Sequence, residues 1–236
     1  MERLFEDDFP DIRESYEVIR ENIEKAMSLA SRRDEVKIMA VTKTVPPERV
    51  NFAVGLGVKL LGENRVQEYL EKRESYADAE VHFIGGLQTN KVKYIIDKVS
   101  MIHSVDSVRL AEEINRRAAQ QRRVMDILAE INIGDEETKG GISADGAMSF
   151  CEEISRFENI RLRGLMTIPP AGCGEELFAR MQELFEKIRA MHSGGLFDTL
   201  SMGMSGDYQA AVKYGATIVR IGSALFGQRK YSGPPR

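Results

Sequence analysis

Val36-Lys37-Ile38-Met39-Ala40-Val41-Thr42-Lys43-Thr44-Val45-Pro46-Pro47-Glu48 is the stretch that decides the fold. Residues 36–42 form a mostly apolar run, as expected of a strand buried on both faces. The paired prolines then open a helix, because a fixed φ and a missing N–H are well tolerated in a first helical turn. A strand running through a short turn into a helix is the first half of a β/α repeat. Lys43 closes the strand and sits in the turn.

The same alternation recurs along the chain. Further strands are predicted at 58–61, 81–84, 101–105, 124–133, 160–166, 200–202 and 217–221. Helices are predicted at 64–76, from about 89, at 143–157, and at 207–214. Another, capped by Asp106, carries the stripe Leu110, Ala111, Ile114 and Ala118, and one more is marked by Leu177, Met181, Leu184, Phe185 and Ile188. An extra amphipathic helix over 10–33, with Ile12, Tyr16, Ile19, Ile23 and Ala30 in register, precedes the first strand. Alternating β and α elements imply parallel strands. About eight units in 236 residues fit a closed (β/α)8 TIM barrel better than a doubly wound open sheet. No GxGxxG fingerprint follows the first strand, which also disfavours the open sheet. The expectation is one α/β domain over 1–236, with its core at about 10–230 and a frayed tail at 231–236.

Composition narrows the function classes. Hydrophobic residues make up 42% and charged residues 30%, enough for a full core. A net charge of -4 gives no reason to expect nucleic-acid binding. Cys151 and Cys173 form neither a disulfide framework nor a CxxC metal pattern, which suits the cytoplasm. The acidic start Met1-Glu2-Arg3-Leu4-Phe5-Glu6-Asp7-Asp8 lacks an apolar signal core, and no run is long enough to cross a membrane.

Barrel chemistry gathers at the C-terminal ends of the strands. The polar residues there are Lys43, Glu63, Asn64, Lys139, Ser205 and Arg220 through Gly222 to Ser223, with Met204 beside them. A lysine desolvated at a strand mouth gives up its proton more readily and offers a nucleophilic amine. Gly222-Ser223 before a helix start can hold a phosphate through backbone N–H groups. An amine and a phosphate cradle together suit a ligand with both an aldehyde and a phosphate. Each residue also has a plainer reading. Lys43 can end a strand in solvent, Ser205-Gly206-Asp207 and Asn64 can be helix caps, and Arg220 can pair with a core carboxylate. His82 reads as a half-buried structural histidine. His103 and His192 have no partners at metal-ligand spacing. The Arg116-Arg117 and Arg122-Arg123 pairs complement a helix C-terminus.

Eight segments keep the order of one family: Ala40-Val41-Thr42-Lys43-Thr44, Gly62-Glu63-Asn64-Arg65-Val66-Gln67-Glu68, His82-Phe83-Ile84-Gly85, Leu87-Gln88-Thr89-Asn90-Lys91, Ile102-His103-Ser104-Val105-Asp106-Ser107, Gly164-Leu165-Met166-Thr167-Ile168-Pro169, Leu200-Ser201-Met202-Gly203-Met204-Ser205 and Val219-Arg220-Ile221-Gly222-Ser223. The chain resembles the pyridoxal phosphate homeostasis protein family of the YggS/PROSC type, whose fold is like the N-terminal barrel of alanine racemase. The resemblance implies that Lys43 forms a Schiff base with pyridoxal 5'-phosphate (PLP). It implies that Ser205 and the backbone of Gly222 and Ser223 bind the phosphate, that Arg220 faces the pyridine nitrogen, and that Asn64 lies near the ring. His82 and Met204 would belong to the pocket wall. Ala79-Glu80-Val81 departs from the tryptophan that many relatives carry before His82.

The function so implied is a non-catalytic PLP carrier or buffer in the cytoplasm, monomeric, serving PLP-dependent apo-enzymes. The alternative is a weak PLP-dependent amino-acid racemase, whose opposite-face base is expected to be missing because no second β-rich domain follows. A Schiff-base aldolase on a barrel is a third reading. Lys139 either hands PLP on or is a solvated loop lysine.

Overall fold

In the computed structural model, residues 8–136, 139–192 and 196–228 are described. The predicted tail at 231–236 and the acidic start at 1–7 lie outside them.

The strands in chain order are β1 (Lys37–Val41), β2 (Leu60–Glu63), β3 (Glu80–Phe83), β4 (Met101–Val105), β5 (Met125–Asn132), β6 (Ile142–Ser143), β7 (Ile160–Thr167), β8 (Thr199–Met204) and β9 (Ile218–Ile221). Every pairing is parallel. β1 pairs with both β2 and β9, and β4 pairs with β5, so eight strands close into a barrel and β6 is an added rung. The predicted TIM barrel is the observed fold.

Strand alternation sorts the side chains into two layers. Met39, Leu60, Ile84 and Ile218 form one cluster inside the barrel, and Met101, Leu128 and Met166 form another. Their sequence neighbours Ala40, Leu61, Phe83, Ile102, Ile127, Leu165 and Val219 pack outward in the large cluster shared with the helices. The outer layer comprises α1 (Pro10–Leu29), α2 (Pro47–Gly55), α3 (Val66–Lys72), α4 (Val92–Ile95), α5 (Val108–Gln120), α6 (Ala147–Ile154), α7 (Glu175–Met191), α8 (Tyr208–Lys213) and α9 (Ser223–Phe226). α1 buries Ile12, Ile19, Ile23 and Ala26. It lies against α8, α9 and α2, so it seals the seam where the barrel closes. The N-terminal strand ends are tied by ions: Arg163 bonds Asp126 at 2.8 Å and Asp198 at 2.6 Å, and Arg161 bonds Asp126 at 2.6 Å.

Two predicted helix starts are corrected. The helix placed at 143–157 begins only at Ala147, because Ile142 and Ser143 pair with Ile131 and Asn132 of β5. Gly141 makes that return: its φ is +107°, and a Cβ there would lie 2.8 Å from the Asn132 nitrogen. A sheet rung thus overrides local helix propensity. Asp106 does not cap α5. Ser107 is the N-cap residue, in extended conformation and without a side-chain cap bond, while Asp106 accepts the Ser107 hydroxyl at 3.3 Å.

Candidate functional site

The site is built by parity. Met39 faces inward on β1, so Lys43, four residues on, continues the same face just past the strand. The chain turns sharply there. Thr44 has φ +62°, a left-handed conformation that a β-branched residue rarely adopts. Its N–H donates to Glu68 Oε1 at 2.5 Å, and Glu68 also accepts Lys72 Nζ at 2.5 Å. Burial opposes the charge on Glu68, but the bonds from Lys72 and Thr44 outweigh it and hold its pKa below the usual carboxylate value. A strained turn, clamped by α3, therefore presents the lysine.

The neighbouring staves obey the same rule. Leu60 faces inward on β2, which sends Glu63 outward and Asn64 inward. Glu63 is fully buried behind the barrel, accepting Thr42 Oγ1 at 2.7 Å and Tyr76 OH at 2.5 Å. Burial raises its pKa, against the pull of those two bonds. It is a structural carboxylate with no place in the cavity. Asn64 lines the cavity, and its buried Oδ1 has no hydrogen-bond partner.

On β9, the strand paired to the other edge of β1, Arg220 is 4% exposed, with Ile218 inward two residues before it. Nη1 donates to Ser201 Oγ at 2.8 Å and Nη2 to the Thr167 carbonyl at 2.7 Å. Burial draws the guanidinium down to about 10, against the attraction of Glu130 and Asp207, so it stays cationic at neutral pH. Ser205 Oγ accepts the N–H groups of Gly222 at 3.2 Å and Ala224 at 3.1 Å, which joins the loop after β8 to the start of α9. Asp207 accepts the Met204 N–H at 2.6 Å and fixes the same loop from below.

These residues enclose a cavity of about 280 Å³ lined by Val41, Lys43, Asn64, Ile84, Ile168, Met204, Ser205, Gly206, Arg220, Gly222 and Ser223. Seven of the eight residues implied by the resemblance meet there. His82 does not. It shares the inward face of β3 with Ile84, and Ile84, two residues nearer the mouth, takes the wall position. His82 lies a layer deeper, 3% exposed rather than half-buried, bonded to His103 and Glu80. Lys139 is also elsewhere: it pairs with Glu136 and reaches the carbonyls of Ile168 at 3.5 Å and Pro169 at 3.4 Å. Its loop is joined to the β7 loop at the rim.

Several contributors were missed from sequence. Glu130, half-buried on β5, has its pKa raised to about 7 by burial and then by the charge of Asp106, with Arg220 opposing. The signal was present, since Glu130 is a carboxylate inside a mostly apolar strand. Ser201, His103, Glu68 and the strain at Thr44 had no local signal, because their partners lie on other staves.

Comparison with known proteins follows the same lines. The alanine racemase N-terminal domain family matches residues 15–230. The pyridoxal phosphate homeostasis protein of Aquifex aeolicus is 44% identical over 220 residues, covering 90% of this chain and 96% of that one. The chain belongs to this family. PipY of Synechococcus elongatus, solved with PLP bound, is 31% identical with a TM-score of 0.75, covering 87% of this chain and 100% of that one. Alanine racemase of Clostridium difficile shares the fold at 17% identity and a TM-score of 0.70, with 94% of this chain covering 57% of that one.

Proposed function

We propose that this chain binds PLP at the barrel mouth and acts in PLP homeostasis as a carrier or buffer without turnover of its own. The observation that carries the reading is the convergence of Lys43, Asn64, Ser205 and Arg220 on one small cavity. The donor set fits the cofactor. An amine suits the aldehyde, the Ser205 hydroxyl with the Ser223 backbone N–H suits the phosphate, and the Asn64 amide, which can donate through Nδ2, suits the ring oxygen. A cavity of about 280 Å³ is near the low end for ligand pockets, which suits one small cofactor.

Bound PLP supplies an aldehyde that condenses reversibly with amines and a ring that can draw electrons from an attached carbon. The protein's own residues set which property is used. Arg220 offers only N–H donors, so beside the pyridine nitrogen it leaves that atom unprotonated and the ring a weak electron sink. Racemisation also needs a second acid/base facing Lys43. Among the described residues no tyrosine, histidine, cysteine or carboxylate lines the cavity. The racemase reading is therefore not favoured. The half-exposed mouth leaves PLP accessible to apo-enzymes, and the chain works as a cytoplasmic monomer. No helix of the described residues is long and apolar enough to cross a membrane.

Borohydride treatment of PLP-loaded protein, followed by peptide mapping, tests the assignment. The expected label is on Lys43, with none retained after Lys43→Ala. A reducible label on another lysine, or D/L-alanine interconversion at ordinary enzyme rates of ~1–10³ per second, overturns it.

A further inference from the structure

A line of polar side chains runs through the apolar interior of the barrel. Glu80 Oε1 lies 3.0 Å from His82 Nε2, and His82 Nδ1 lies 2.9 Å from His103 Nε2. His103 Nδ1 lies 3.1 Å from Ser201 Oγ, which accepts Arg220 Nη1 at 2.8 Å. His103 and Ser201 are fully buried, and His82 nearly so. Glu80 is the one member half-exposed to solvent.

The two ends fix where every proton sits. Arg220 can only donate, so Ser201 Oγ accepts from it and has its own proton to give. Ser201 gives that proton to His103 Nδ1. The Glu80 carboxylate can only accept, and the bond from His82 holds its pKa below the usual value, against burial. His82 Nε2 therefore carries a hydrogen. With its Nδ1 accepting from Ser201, His103 carries its hydrogen on Nε2 and donates to His82 Nδ1, and every donor in the series finds an acceptor. Burial, aided by the charge of Arg220, holds His103 well below its ordinary value and keeps it neutral. The opposite arrangement at the histidine pair would leave the Ser201 proton without an acceptor in a dry interior, which is costly.

We propose that Ser201 and His103 are positioning residues for Arg220, joined in a one-way relay, Arg220 to Ser201 to His103 to His82 to Glu80, that clamps the guanidinium in the cavity wall. The inference rests on Arg220 facing the PLP ring, and extends that reading to residues that never touch the cofactor. Without Ser201 the guanidinium keeps one anchor, the Thr167 carbonyl, and is free to turn toward Glu130, whose charge already acts on it. The ring nitrogen would then lose its donor.

The test uses the full chain with ¹⁵N-labelled histidine, with and without PLP. In the ligand-free protein the expected NMR signature is a bare Nδ1 and a protonated Nε2 on both His82 and His103. Ser201→Ala should shift the absorption band of bound PLP and speed its release on dilution about tenfold, since a bond to a charged group is lost. Ser201→Thr, which keeps the hydroxyl, should restore both. A protonated Nδ1 on His103, an unchanged band and release rate in Ser201→Ala, or a threonine variant as impaired as the alanine one overturns the proposal. If the unaltered chain takes up no PLP, the cofactor reading falls and the role given to the relay falls with it. The ligand-free NMR spectrum would still show whether the relay itself exists.

Discussion

Thr44 is the residue on which the presentation of Lys43 turns. A β-branched side chain at φ +62° costs ~1 kcal/mol or more, and glycine adopts that conformation without steric cost. Thr44→Gly should therefore raise the melting temperature by about 2 °C, the shift expected for ~1 kcal/mol in a chain of this size. The same change frees the turn that holds the amine in place, so PLP uptake should slow. Scanning calorimetry and stopped-flow absorbance read the two effects separately, and a variant both less stable and equally fast would contradict the assignment of strain. Lys43 itself was legible in the sequence because it closes an apolar run. The strain beside it was not, since nothing in Thr42-Lys43-Thr44 announces a left-handed backbone; that conformation is set by Glu68 on another element.

At the scale of elements, the staves place Asn64 through close approach. Gly85, just past β3, lies so near the loop after β2 that a Cβ would fall 2.1 Å from the Asn64 carbonyl oxygen. That atom is main chain, so it can move only by moving Asn64. Gly85→Ala should thus leave a folded barrel with a displaced Asn64 and PLP affinity lowered about tenfold or more, about the loss of one hydrogen bond to a charged group. Titration of the PLP absorption band checks it, and unchanged affinity would remove Asn64 from the site. Most strands were legible because doubly buried staves read as apolar runs, and β4 matches its prediction at both ends. The start of α6 was illegible because a two-residue rung depends on where β5 happens to lie. His82 was misplaced by one layer for a related reason. Periodicity tells which face a residue takes, and only the register between strands tells its height.

At the scale of the whole molecule, the barrel carries a charge it is reluctant to keep. Glu130 has a pKa near 7 in the fold against 4.5 as a free side chain. Below pH 4.5 both states hold the proton, and the contribution to stability is fully present. As pH rises through 7 the folded state must also release it, and the contribution is lost. Glu130→Gln, which stays neutral, should melt close to the parent near pH 5 and above it at pH 8. Equal melting temperatures at pH 8 would show that Glu130 is better solvated than its position implies. Arg220 is the complementary case. Among the described residues, no carboxylate forms an ion pair with its guanidinium, although it is almost entirely buried. An interior cation held only by a hydroxyl and a carbonyl, with its carboxylates at a distance, weakens a fold, and an anionic guest beside it offsets part of that cost. Vacant copies should then open more often than filled ones and be cleared sooner by cellular proteases. The amount of this protein in a cell would track vitamin B6 supply without any change in transcription.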